Sequence, residues 1–180
     1  MRAGSMNAGK STALLQVAFN YEEQGLIVEL YTAAIDDRYT VGQITSRIGL
    51  SREAKIFDAN LDFLSLANSS LSCILIDECQ FLTEAQVTQL HKLAHLHNIP
   101  VICFGIRSDF QGNPFPGAAR LMCLADDIEE LKTICSCGSK ASMNVRVSEE
   151  GIRIREGAQV SIGGNATYKQ VCPKCFYSGE

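Results

Sequence analysis

The stretch Gly4-Ser5-Met6-Asn7-Ala8-Gly9-Lys10-Ser11 decides how the rest of the chain is read. It matches G-x-x-x-x-G-K-[ST], the pattern of a phosphate-binding loop. Glycines let such a loop curl until several backbone N–H groups face one point, and the helix that follows adds its positive end. Lys10 would then reach the outer phosphates, and Ser11 would ligate Mg²⁺. The competing reading is a Gly-rich turn carrying a surface lysine.

Downstream, Ala13-Leu14-Leu15-Gln16-Val17-Ala18-Phe19 has a helical pattern that Gly25 ends. Leu26 to Tyr31 reads as a short strand rich in branched residues. Residues 32–52 are polar and read as a loop, and 53–70 give weaker amphipathic signals. Ser72 to Glu78 is a buried strand ending in two carboxylates. Residues 83–97 have helical spacing, with Thr83 as the cap. Asn98-Ile99-Pro100 breaks that helix, and Val101 to Gly105 is the next strand. Strand and helix alternate to about residue 130, which predicts an α/β fold of the P-loop NTPase type, a mostly parallel sheet flanked by helices. Such loops follow a buried strand, yet only Met1-Arg2-Ala3 precede this one. Either the start is truncated or the sheet lacks its usual first strand; truncation is the favoured expectation, and it would weaken the sheet beneath the loop.

Ile74-Leu75-Ile76-Asp77-Glu78 supplies the second half of a nucleotide site. Asp77 at the strand tip would hold Mg²⁺ through water. Glu78 would orient water in an ATPase, or take the proton from an attacking hydroxyl in a small-molecule kinase. A strand end with solvated acids is the plainer alternative.

Composition limits the partners. The chain has 180 residues with 46% hydrophobic and 20% charged content, as in ordinary globular proteins. Its net charge of −4 argues against duplex nucleic acid as the main partner, because phosphate neutralisation needs a basic face. No apolar run reaches the ~20 residues that span a bilayer, and no signal-peptide pattern precedes the loop. A cytoplasmic protein with no membrane partner is expected.

Of the eight cysteines, four fall into two pairs, Cys135-Ser136-Cys137 and Cys172-Pro173-Lys174-Cys175. Four thiolates suit a closed tetrahedral zinc site with a structural role, which would pin residues 138–171 at their base. Free thiols or a redox pair are the alternatives. Cys73, Cys79, Cys103 and Cys123 lack ligand spacing and read as small core residues. His91 and His95, four apart on a helix with no acid motif beside them, read as a solvated face. The change of texture near residue 132 predicts two units, a nucleotide-binding α/β domain over 1–131 and a zinc-binding domain over 132–180.

Met6-Asn7-Ala8-Gly9-Lys10-Ser11, Asp77-Glu78-Cys79-Gln80-Phe81 and the four cysteines together resemble the zinc-containing thymidine kinases of bacteria and animal cytosol. Asp36-Asp37-Arg38-Tyr39, Ser46-Arg47-Ile48-Gly49, Asp109-Phe110-Gln111-Gly112 and Val160 to Asn165 leading to Tyr168 are similar to that family's motifs. The resemblance implies transfer of the γ-phosphate of ATP to the 5′-hydroxyl of thymidine, with Mg²⁺. Glu78 matches the family's proton acceptor, and the turn from Asp77 through Cys79 to Gln80 lies near the nucleotide. Arg38 matches an arginine close to the phosphates. Phe81 and Phe110 match aromatics enclosing the base, and Met6 a residue near the thymine methyl. Val160, Ser161, Ile162, Gly163 and Gly164 match a lasso-like lid whose backbone reads the thymine edge, with Tyr168 reaching the sugar. Asn144 stands where many relatives place threonine, and Cys175 where histidine is frequent. Members commonly form tetramers and are inhibited by thymidine triphosphate. A P-loop ATPase and a non-catalytic zinc-ribbon module remain the competing readings from the residues alone.

Overall fold

The computed structural model describes residues 1–35, 42–67, 70–160 and 168–178. Arg2–Ala3 form β1, followed by the loop and helix α1, Lys10–Glu23. Val28–Ala33 is β2, Gln43–Thr45 β3, Ser51–Glu53 β4 and Lys55–Phe57 β5. Cys73–Ile76 is β6, Glu84–Leu96 α2, Val101–Gly105 β7, Pro116–Leu124 α3 and Glu129–Glu130 β8.

Six of these strands make one sheet in the order β5-β2-β6-β7-β1-β8, and every pairing in it is parallel. Parallel strands covered on both faces need apolar residues at every position, and Cys73-Ile74-Leu75-Ile76 is wholly buried for that reason. Alternate residues feed two cores. Leu30, Cys73, Leu75 and Phe104 pack with Leu14, Leu15 and Ala18 of α1. On the other face Tyr31, Ile74, Ile76 and Cys103 pack with Val87, Leu90 and Leu93 of α2 and Leu121 of α3.

The expected missing first strand is corrected by this topology. Arg2 and Ala3 lie between β7 and β8, with Arg2 opposite both Phe104 and Glu129. Two residues suffice because both neighbours supply backbone partners. Residues 32–52 also differ from the expected loop: β2 runs on to Ala33, and Gln43–Thr45 pairs antiparallel with Ser51–Glu53. That hairpin is polar and mostly exposed, so it has no alternation to read, and Ile44 is its buried anchor against α1. Helix α2 starts as expected. Thr83 Oγ1 accepts from Gln86 N–H, Gln86 Oε1 accepts from Thr83 N–H, and a reciprocal capping box results.

Beyond Lys132 the chain builds smaller sheets. Thr133–Ile134 (β9) pairs with Lys140–Ala141 (β10). Met143–Val147 (β11) lies between Arg153–Ile154 (β12) and Tyr168–Val171 (β13), and Pro173–Ser178 is α4. Val145, Val147, Val171 and Phe176 close a third core with Cys135, Cys172 and Cys175. Among the described residues no helix is long and apolar enough to cross a membrane.

Candidate active site

The phosphate loop and the end of β6 open into one cavity of about 290 Å³. Asn7 and Gly9 take left-handed backbone angles, at φ 65° and 78°, and curl the chain into α1. The Lys10 ammonium is drawn back over the loop, where it donates to the carbonyls of Gly4 at 3.2 Å and Ser5 at 3.0 Å. Ser11 Oγ donates to Asp77 Oδ2 at 3.0 Å, so the two candidate Mg²⁺ ligands already touch. Asp77 Oδ1 accepts from the N–H of Glu78 at 3.0 Å. Burial, reinforced by the neighbouring Glu78, pushes the Asp77 carboxyl up to about 7, while Ser11 and Lys10 pull it down. A divalent cation is the ligand that would relieve such a buried acid.

Glu78 itself sits at φ 51°, ψ 41°, in the left-handed region, and is 8% exposed. For a non-glycine residue that conformation is uncommon and is held by its surroundings. Gln80, 3% exposed, orients the Glu78 side chain. Its Oε1 accepts from Ile106 N–H at 3.1 Å, which leaves its Nε2 to donate to Glu78 Oε2. The backbone amide therefore fixes which way the carboxamide faces. Gly105 makes room for it: a Cβ there would lie 2.5 Å from Gln80 Oε1 and 2.6 Å from Cys79 Sγ.

Phe81, Phe110, Phe115, Asn144, Val160 and Tyr168 line the same cavity. Phe81 meets Phe115 edge-on, with ring centroids 5.8 Å apart. Buried Asp109 shapes the turn beside Phe110 by accepting from the N–H groups of Gln111 and Asn113, each at 2.9 Å. It also accepts from Gln159 Nε2 at 3.0 Å. Two small sheets reach the phosphate loop at three successive residues, through β10 in one and β11 and β13 in the other. Ser5 Oγ donates to Ala141 O, Met6 N–H to Asn144 Oδ1, and Asn7 Nδ2 to Gln170 Oε1, at 3.2, 2.8 and 2.6 Å.

Most of the residues singled out in the sequence converge here. Met6, Asn7, Gly9, Lys10, Ser11, Asp77, Glu78, Gln80, Phe81, Phe110, Val160 and Tyr168 all line the cavity. Gly4, Ser5 and Ala8 shape the loop from behind without lining it, and Cys79 is buried in the core against Gly105. Arg38, Ser161, Ile162, Gly163 and Gly164 lie outside the described residues. Arg146 and Gln159 escaped the sequence reading. Two polar side chains two apart in β11, Asn144 and Arg146, face away from the Met143, Val145, Val147 side of the strand. Both are buried, so the period that marked the core also marked a second buried face.

The four candidate zinc ligands also come together, with all four sulfur atoms within 4.8 Å of one another. The Cys137 and Cys172 sulfurs lie 3.5 Å apart, a spacing that suits two thiolates on one tetrahedral metal. Hydrogen bonding from Ser139 pulls the Cys137 thiol down to about 6, whereas its sulfur neighbours, Cys172 first, push Cys175 up to about 12. Four sulfurs so close cannot all ionise without a cation among them, and the set fits zinc. Cys73 and Cys103 are core residues whose thiols burial pushes up to about 11 and 12. Cys123 is exposed on α3 and is not a core residue as expected. His91 and His95 do gain an acid, since Asp126 lies 3.2 Å from His95 Nε2. It comes from the segment after α3, which their own helix could not reveal.

A parallel sheet with a glycine-rich loop after β1, meeting an acid pair at the end of β6 two places away in the sheet, has the layout of a nucleotide-binding protein of the phosphate-loop class. A family model described as thymidine kinase matches residues 1–176, and the chain belongs to the thymidine kinase family. It is similar to a thymidine kinase of Chromobacterium violaceum, 58% identical over 176 residues, which cover 98% of this chain and 96% of that one. A thymidine kinase of Albidiferax ferrireducens is 52% identical over 174 residues, covering 96% and 88%. Among solved structures, Bacteroides Pif1 bound to ssDNA superposes with a TM-score of 0.39 at 14% identity, over 72% of this chain and 37% of that one. At that score the likeness carries no argument.

Proposed function

We propose that the cavity between the phosphate loop and Glu78 is where the reaction of this family runs in this chain. The chain is an ATP-dependent thymidine kinase, which passes the γ-phosphate of ATP to the 5′-hydroxyl of thymidine and yields dTMP and ADP. The observation that carries the placement is the shared hollow: Lys10, Ser11, Asp77, Glu78, Phe81, Phe110 and Tyr168 all border it.

In this reading Gly4 to Ser11 bind the triphosphate, and Lys10 leaves its two carbonyl partners for the outer phosphates. Ser11 and Asp77 would hold Mg²⁺, which supplies charge neutralisation at the transferring phosphoryl group. Glu78, held by Gln80, accepts the proton of the 5′-hydroxyl as that oxygen attacks, because a neutral alcohol is a weak nucleophile. Phe81 and Phe110 enclose the base, Met6 borders its methyl group, and Tyr168 reaches the sugar. A pocket walled by aromatics keeps water from competing as acceptor. Cys79 and Gln80 stay near the nucleotide through the turn they share with Glu78.

Several finer parts of the reading rest on the family resemblance: a contact of Arg38 with phosphate, and a lid in which Val160, Ser161, Ile162, Gly163 and Gly164 read the thymine edge. Of that lid stretch, Val160 is described and borders the cavity. The division into a nucleotide-binding unit over 1–131 and a zinc-bearing unit over 132–180 belongs to the same proposal. So do a structural zinc on Cys135, Cys137, Cys172 and Cys175, a homotetramer, inhibition by thymidine triphosphate, and a cytoplasmic location. The test is ADP formation measured with and without thymidine, with dTMP identified as the second product. Release at full rate without thymidine would mean that water is the acceptor and that the placement is wrong.

A further inference from the structure

We infer that Arg146 is a positioning residue for the nucleoside, fixing two walls of its pocket, Phe110 and Tyr168, in one arrangement. The inference rests on the placement proposed above. Arg146 is 5% exposed, and among the described residues no carboxylate forms an ion pair with it. A buried guanidinium needs partners for its donors and for its charge. It finds them on the pocket wall. Nε and Nη2 both donate to Tyr168 Oη, at 3.1 and 2.7 Å. Nη2 also donates to the carbonyls of Ala158 at 2.9 Å and Gln159 at 3.3 Å.

The planar face is used as well. The guanidinium carbon lies 3.9 Å from the Phe110 ring centroid and 5.2 Å from that of Tyr168. Gly157, at φ 128°, takes a backbone conformation that favours glycine where the chain passes the guanidinium. One side chain thus links the ring of Phe110, the phenol of Tyr168 and the backbone at 158–159. Phe110 and Tyr168 border the cavity on separate parts of the chain, and the strands alone do not fix their rings relative to each other. Arg146 and Tyr168 also pair through the backbone of β11 and β13, a link that does not depend on the guanidinium, so fold and ring placement can be separated. Lysine keeps the charge but offers neither the fork nor the flat face.

The experiment compares Arg146→Met and Arg146→Lys with the natural chain, each zinc-loaded and full length, varying thymidine at saturating ATP and then ATP at saturating thymidine. Losing a stacked, forked contact should raise the thymidine KM of Arg146→Met by about tenfold or more. The rise in Arg146→Lys is expected to be smaller but clear. The ATP KM and the zinc content should stay within about twofold of the natural chain, a split that general loosening does not produce. A thymidine KM unchanged in either zinc-loaded variant overturns the role, as do equal rises in both KM values. If Arg146→Met fails to fold, Arg146→Lys decides by the same criterion. Should the natural chain show no thymidine-dependent turnover, the placement itself fails and takes the role with it. A natural chain that responds to thymidine beside indifferent variants sinks the role alone.

Discussion

The backbone N–H of Met6 donates to the side-chain oxygen of Asn144 at 2.8 Å, across 138 positions of sequence. Flanking bonds from Ser5 to Ala141 and from Asn7 to Gln170 continue the seam. The candidate phosphate loop is therefore shaped partly by the two small sheets from which the cysteine cluster is reached.

Replacing Asn144 with alanine leaves the Met6 N–H without its acceptor at the edge of the pocket. An unmade bond of this kind costs roughly 1–3 kcal/mol. Both KM values should rise, ATP through the loop and thymidine through Met6, by about tenfold in the larger case. Threonine at this position keeps an oxygen on a shorter arm and should recover part of the loss. Steady-state kinetics on the two variants checks this, and an unaltered ATP KM in Asn144→Ala would remove the seam from any part in shaping the loop.

Gln80 offers a sharper separation of binding from turnover. Its carboxamide is clamped between Ile106 N–H and Glu78, so Gln80→Leu should leave the acid poorly aimed. We expect kcat to fall by about tenfold to a hundredfold while the ATP KM moves little. Gly105→Ala should act in the same direction, because the new Cβ would overlap Gln80 Oε1. A Gln80→Leu enzyme with natural kcat would show that Glu78 needs no such support.

These relationships show where the sequence was readable. The loop, the acid-tipped strand and the cysteine pairs are local patterns whose chemistry depends on spacing, and the fold brings each set together as its spacing requires. Arg2–Ala3 is too short to display any period, and its status as a strand comes entirely from β7 and β8 on either side. The hairpin of β3 and β4 is polar and largely exposed, so its residues resemble a loop in composition. Arg146 carries no local sign of burial, because its partner Phe110 comes from 36 positions earlier in the chain. Tertiary partners from distant parts of the chain were what local reasoning lacked.

Asp77 gives the nucleotide-free protein a characteristic pH dependence. Its folded value of about 7 lies above the ordinary 3.8, so between those values the native state holds a proton that the unfolded chain has released. Stability from this group therefore falls as pH rises through that window. Asp77→Asn removes the effect. The Tm of the variant relative to the natural chain should rise between about pH 4 and 7, and Mg²⁺ with ATP should narrow the gap by favouring ionised Asp77 in the natural chain. Thermal melts across this range check the sign; a gap that shrinks with rising pH contradicts it.

Removing Cys172 tests the cysteine cluster. Cys172 directly follows β13, the strand that carries Tyr168 and Gln170, so Cys172→Ala should release zinc and loosen that strand from the loop. The expected outcome is a lower Tm and a thymidine KM raised by at least about tenfold, equivalent to about 1.4 kcal/mol of lost positioning. Metal analysis beside the kinetics checks it, and a metal-free variant with natural KM would refute the structural role.

The central claim is that Glu78 takes the proton from the nucleoside hydroxyl in the cavity it shares with the phosphate loop. Glu78→Gln keeps the shape and removes the base, and its single-turnover rate with thymidine, measured beside its ATP affinity, tests the claim most directly. The account predicts ATP binding within about threefold of the natural chain and phosphoryl transfer slowed by about a hundredfold or more. Transfer at the natural rate in Glu78→Gln would contradict it.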